Sequence, residues 1–191
     1  MLHSRKRRVV AGAATIVLLA GVALAFLALS GGPKTYETSA FSFEYPGEWE
    51  RIVGVEFPNA ERLGDTGVGD HTFGLDPDNW VTVFSSPVGV EVTTQNVDQV
   101  IPAARNLYAE TFGPAGVRFL QQAYSIREAG LPGIRMRVAL TSPRGVRVEE
   151  EITTLYRGTT AYTINCQNRL ERATEMAAGC ERVFDTFRVR P

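Results

Sequence analysis

The 191-residue chain has only two histidines, two cysteines and two lysines, and it lacks the short motifs around which common catalytic sites are built. There is no G-x-S-x-G, so no nucleophile elbow. There is no G-x-x-x-x-G-K-[ST] to cradle phosphates and no H-E-x-x-H to hold zinc. A nucleophile, a base and an orienting group cannot be nominated together, so no catalytic, cofactor-binding or metal-ligating set is expected, and the chain reads as a non-enzyme. No internal repeat or low-complexity tract appears. Beyond Ser30 there are sixteen basic against twenty-one acidic residues, a net charge of −5, which speaks against nucleic acid as a partner and against adhesion to anionic headgroups.

What is present begins at the N-terminus. Arg5, Lys6, Arg7 and Arg8 precede an uncharged apolar run from Val9 to Leu29. As a helix this run would be about 31 Å long, the thickness of a bilayer's hydrocarbon core. Basic residues before it predict a cytoplasmic N-terminus. The expected organisation is a cytoplasmic basic segment at 1–8, a single-pass signal anchor in the plasma membrane at 9–29, a linker at 30–39 and an extracytoplasmic domain at 40–191. Length favours a retained anchor, since signal peptides carry apolar regions of about 7 to 15 residues. Ala28 and Ser30 before Gly31 leave a cleaved signal peptide, and hence secretion, as the alternative. Arginine supplies all but two of the basic residues, and Ala, Val and Gly are abundant, a composition suggesting a GC-rich bacterial source.

Cys166 and Cys180 both fall in the extracytoplasmic part, where disulfides persist, and an even pair fits one structural bridge. Asp65, Asp70, His71, Asp76 and Asp78 crowd a glycine-rich loop, yet their spacing matches no calcium loop, and Asp beside Gly and Pro reads as turn chemistry. Arg135, Arg137, Arg144 and Arg147 are candidates for a partner surface, a cationic patch for an anion or an acidic protein beside Glu149-Glu150-Glu151. Alternatively, cross-strand Arg/Glu pairs solvate one another. The glutamate run itself reads as an exposed or edge-strand feature.

Phe41, Phe43 and Tyr45 alternate with polar residues and stop at Pro46-Gly47, a half-buried strand. Ile52, Val53, Val55 and Phe57 suggest a second. Trp80 to Phe84 reads as a buried strand, with Val88 to Val92 as a strand remnant. From Asn96 the period becomes helical: Val97, Val100, Ile101, Ala104, Leu107, Tyr108 and Phe112 share a face, interrupted by Pro102 and closed by Gly113-Pro114. A meander of strands then runs from Val117 to Cys166, with turns at Gly130, at Pro143 to Gly145 and at Arg157-Gly158. A terminal helix from about Leu170 is expected to bury Leu170, Ala173, Ala177, Cys180, Val183 and Phe184, before a short strand at Phe187 and Val189. Two helices flanking a largely antiparallel sheet of six to eight strands make an α+β layered fold.

The opening block Phe41-Ser42-Phe43-Glu44-Tyr45-Pro46-Gly47-Glu48-Trp49 resembles the start of PsbP-like and Mog-type domains, including secreted and membrane-anchored actinobacterial members. The closing strand at Tyr162 to Cys166, the helix, Cys180 and Phe184-Asp185-Thr186-Phe187 resemble their ending. The resemblance implies an α/β/α sandwich around a central antiparallel sheet, and a non-enzymatic binding or assembly role. It implies no particular ligand and no functional residues. The function expected first is a membrane-anchored domain contacting a cell-envelope protein. The second is a carrier or sensor of a small apolar or envelope-derived ligand, which requires a cavity between sheet and helix.

Overall fold

A computed structural model describes residues 32–53, 71–112, 116–142 and 144–190. The expected anchor, with Arg5, Lys6, Arg7 and Arg8, lies outside them, as do Val55, Phe57, Asp65 and Asp70. In chain order the elements are β1 (Lys34–Glu37), β2 (Phe41–Tyr45), β3 (Glu50–Arg51), β4 (Thr72–Asp76), β5 (Asn79–Val92) and α1 (Val97–Phe112). They continue as β6 (Arg118–Glu128), β7 (Leu131–Thr141), β8 (Arg147–Asn168), a 3-10 turn at Leu170–Arg172, α2 (Ala173–Thr186) and β9 (Arg188–Val189). No helix among the described residues is long and apolar enough to cross a membrane.

Among the described residues all the strand pairings are antiparallel, and they form two sheets: β1-β2-β9, and a larger one in the order β3-β4-β5-β8-β7-β6. β8 is extended throughout yet doubles back at Arg157-Gly158, as the sequence led one to expect. The Thr154 and Thr163 hydroxyls lie 3.1 Å apart and Asn165 donates to Glu150 at 3.0 Å. Along a straight strand Thr154 and Thr163 would stand about 30 Å apart. Gly158, at φ 61°, makes the reversal without a Cβ clash. The first arm pairs with β7 and the second with β5, which fills the middle of the sheet with two adjacent strands.

The two faces of this sheet are covered by different helices. On one, Val81, Val83, Leu155, Ile164 and Cys166 pack against Met176, Cys180 and Val183 of α2 and against Phe41, Phe43 and Trp49 from the small sheet and the turn after it. On the other, Met136, Val138, Leu140 and Ile152 meet Tyr108 of α1, and Ile134, Tyr156 and Ala161 meet Val97. The alternation Phe41, Phe43 that marked β2 in the sequence is a buried face, each residue 2 % exposed or less.

Some expectations are corrected. Leu170 is 71 % exposed, because it sits in the 3-10 turn before α2 and off its inward stripe. Ala177 is exposed too, and the buried positions of α2 are Met176, Gly179, Cys180 and Val183. The second strand shrinks to Glu50–Arg51, and Val53 is 80 % exposed. α1 starts at Val97 and continues through Pro102, which lies on its exposed side.

Cys166 and Cys180 form a disulfide that ties α2 to the second arm of β8. Cross-linking residues 14 apart in sequence restricts the unfolded chain and is worth about 3 kcal/mol on the chain-entropy account. A thermal melt in excess reductant, or of the Cys166→Ser/Cys180→Ser variant, is expected to show that loss. A midpoint unchanged by reduction would refute it.

Candidate functional site

β5 starts as a regular central strand, but its register with β8 slips between Pro87 and Val92. Pro87 has no N–H to give the ladder, and Gly89 beyond it has no side chain to hold the strand down. Between Pro87 and Val92 the strand leaves the ladder, with Val90 57 % exposed, before Val92, itself buried, pairs again with Gly158. α1 lies over this gap. Among the described side chains of its apolar stripe Val97 and Tyr108 are buried, while Val100, Ile101, Ala104 and Leu107 between them are half-buried, so this middle stretch of the helix is less closely packed on the sheet.

The space left is an apolar cavity of about 360 Å³, open to solvent. Its walls are Phe84, Pro87, Val88, Val90 and Val92 from β5, with Val100, Ala103, Ala104, Leu107 and Tyr108 from α1. Thr154, Tyr156, Ala161 and Thr163 of β8 form the floor. Three alanines where larger side chains would fill the gap keep it empty. The volume falls within the usual range for small-molecule pockets, and apolar walls with a few convergent hydroxyls are their usual lining.

Behind Tyr108 lies the most unusual group in the domain. Glu150, 2 % exposed, points from the first arm of β8 toward α1 and accepts a hydrogen bond from Asn165 Nδ2 at 3.0 Å. Burial outweighs that bond and pushes its carboxyl up to about 7 from the ordinary 4.5. The Tyr108 hydroxyl is held above its ordinary range by burial first and then by the charges of Glu150 and Tyr156, and burial pushes Tyr156 up to about 12. The polar end of the cavity is therefore uncharged through mildly acidic conditions, which suits an apolar occupant.

The sequence read Glu149-Glu150-Glu151 as one exposed or edge-strand run. The structure splits it. The run sits on an inner strand, where Glu149 and Glu151 face outward and Glu150 inward. Arg135 bonds Glu128 at 2.6 Å and lies 3.7 Å from Glu151, with its guanidinium over the Phe184 ring at 5.1 Å. Arg137 meets Glu149 at 3.1 Å. These two arginines share one face of β7 in a groove beside α2 that also holds Glu181 and Asp185. Arg144 and Arg147 stand apart from them at the β7–β8 turn, Arg144 reaching Asp78 at 3.4 Å.

The expected loop is corrected in part: Thr72–Asp76 is strand β4, and the acidic residues that the structure describes there serve its turn into β5. Asp76 accepts the backbone N–H of Asp78 at 2.9 Å and the Asn79 side chain at 2.8 Å, closing the β4–β5 turn, while His71 Nδ1 meets the Tyr36 hydroxyl at 2.7 Å. Among the described residues no three His, Cys, Asp or Glu side chains converge as a metal would require. Cavity and buried acid escaped the sequence reading, although strand alternation alone would have turned Glu150 away from its neighbours.

No protein-family model and no curated protein matches the chain in sequence. Solved structures do match it in shape. The cyanobacterial PsbP protein CyanoP of Synechocystis superposes with a TM-score of 0.59 at 14% identity, over 82% of this chain and 92% of that one. LpqN of Mycobacterium tuberculosis, involved in cell envelope biogenesis, gives 0.52 at 9% identity, over 84% and 86%. The fold is PsbP-like, as the opening and closing motifs implied.

Proposed function

We propose that this chain is a non-enzymatic binding domain, held by its N-terminal segment on the outer side of the plasma membrane, that carries or senses a small apolar ligand of the cell envelope. The observation that carries this reading is the cavity of about 360 Å³ between α1 and the sheet, apolar on its walls and uncharged at its polar end. Of the two functions expected from the sequence, the carrier required such a space and the protein-contact domain did not. An envelope source for the ligand draws support from the anchor-like N-terminus and from the envelope role of LpqN, a shape neighbour. Contact with a cell-envelope protein remains compatible with it, since a loaded carrier delivers to something.

Native mass spectrometry of the full chain, taken from its own membranes, tests the proposal. The wild-type protein is expected to carry an extra mass that leaves on denaturation. In Ala104→Trp the indole fills the cavity, so the variant should melt no lower than the wild type and arrive bare. A bare wild-type protein, or an extra mass that Ala104→Trp retains, overturns the carrier reading and leaves protein contact in its place.

A further inference from the structure

The sheet face opposite the cavity carries a second depression, at the end where β7 turns into β8. Its floor is β7 itself, where Ala139 and Thr141 point outward and neither side chain is long. Arg118 on β6 pairs across the sheet with Ala139, and Arg147 on β8 with Thr141, so the two arginines flank this floor from opposite sides. Strands one removed from each other lie about 10 Å apart. That backbone separation leaves room for one tetrahedral anion between two arginine side chains on the same face. Arg169 and the exposed Leu170 close the far side of the depression, which measures about 560 Å³.

The charges nearby do not cancel these two arginines. Glu149 is engaged by Arg137 at 3.1 Å, and Glu171 lies 3.6 Å from Arg169. Among the described residues neither Arg118 nor Arg147 has a carboxylate within 4.0 Å. They are cationic groups lining one depression, whose wall also carries Glu149 and Glu171, in a domain whose net charge is negative. A carboxylate is satisfied by one guanidinium fork, whereas a phosphate offers enough oxygens to bridge two and still accept from the Thr141 hydroxyl. Leu170 supplies apolar surface beside it for whatever the phosphate is esterified to.

We propose that Arg118 and Arg147 bracket an oxyanion site over Ala139 and Thr141 that takes the phosphate group of a phosphate ester. The site is separate from the α1 cavity and does not depend on the carrier reading. The phosphate belongs either to a lipid headgroup or to a soluble ester, and the experiment distinguishes them. The full-length chain in nonionic detergent is titrated with inorganic phosphate. Reconstituted in phosphatidylcholine vesicles, it is then compared with and without phosphatidic acid for protection of the arginines from modification by phenylglyoxal.

Arg118→Gln/Arg147→Gln is expected to weaken phosphate binding about tenfold or more while leaving the thermal midpoint unchanged, since both side chains lie at the surface. Ala139→Leu, which fills the floor without touching a charge, should weaken it similarly. Arg182→Gln, an arginine on the outside of α2, should not. Protection by free phosphate assigns a soluble ester, and protection only by phosphatidic acid assigns a lipid headgroup. Absence of binding in both arms, or losses for Arg182→Gln equal to those of the double variant, overturns the proposal.

Discussion

Gly179→Val is expected to lower the stability of the domain by about 3–5 kcal/mol, the cost of expelling a buried tryptophan. Gly179 is at the end of the second turn of α2 and is buried. A Cβ built there collides with the six-membered ring of Trp49, itself 2 % exposed, and nothing flexible stands between them. Mid-helix glycine ordinarily costs about 1 kcal/mol relative to alanine, so this one is retained against helix propensity because the indole needs the space. The fall should appear as a thermal midpoint lower by roughly 10 °C or more for a domain of this size. The control is a double-mutant cycle. Trp49→Phe shortens the ring, and Gly179→Ala should cost markedly less on that background than on the wild type. Additive losses would mean that the glycine serves helix geometry alone.

That contact explains why part of the fold was legible and part was not. Period-two alternation at Phe41 and Phe43, the turn at Arg157-Gly158 and the Cys166–Cys180 pair are local or compartmental signals, and the structure realises each of them. The inward stripe of α2 was misjudged because an apolar pattern ranks alanines above a glycine. Only the tertiary approach of Trp49 makes position 179 an interior one. The separation of β1, β2 and β9 into their own sheet is equally non-local, since it depends on residues at opposite ends of the domain, Phe41 beside Val189 and Ser42 beside Arg188. The cavity has the same character. Pro87 and Gly89 mark a break in β5, but whether α1 closes over that break or leaves it open is set by packing and cannot be read from periodicity.

Glu150→Gln is expected to stabilise the domain at pH 8 by about 3 kcal/mol and to flatten its stability across neutral pH. With its carboxyl raised to about 7 by burial, native Glu150 holds a proton that the unfolded chain releases near 4.5. Below 4.5 both states are protonated and the group costs nothing. As pH rises from there through 7 the unfolded state is increasingly favoured, and above 7 the full penalty applies. Local chemistry agrees with a protonated acid. Asn165 donates to Glu150 through Nδ2, while its Oδ1 is buried without a hydrogen-bond partner. A carboxylic acid closes that pair by donating O–H to Oδ1, and a glutamine does so with N–H at any pH, whereas an ionised carboxylate has nothing to donate. Urea unfolding at pH 5 and pH 8 checks this: the wild type should lose stability between the two, and Glu150→Gln should not. Equal pH dependence in both would place the titrating group elsewhere. The same step bears on function, because Tyr108, which feels the charge of Glu150, also lines the cavity. A cavity whose polar end stays neutral up to about pH 7 accepts an apolar occupant without desolvating a charge, and ionising Glu150 behind it removes that condition.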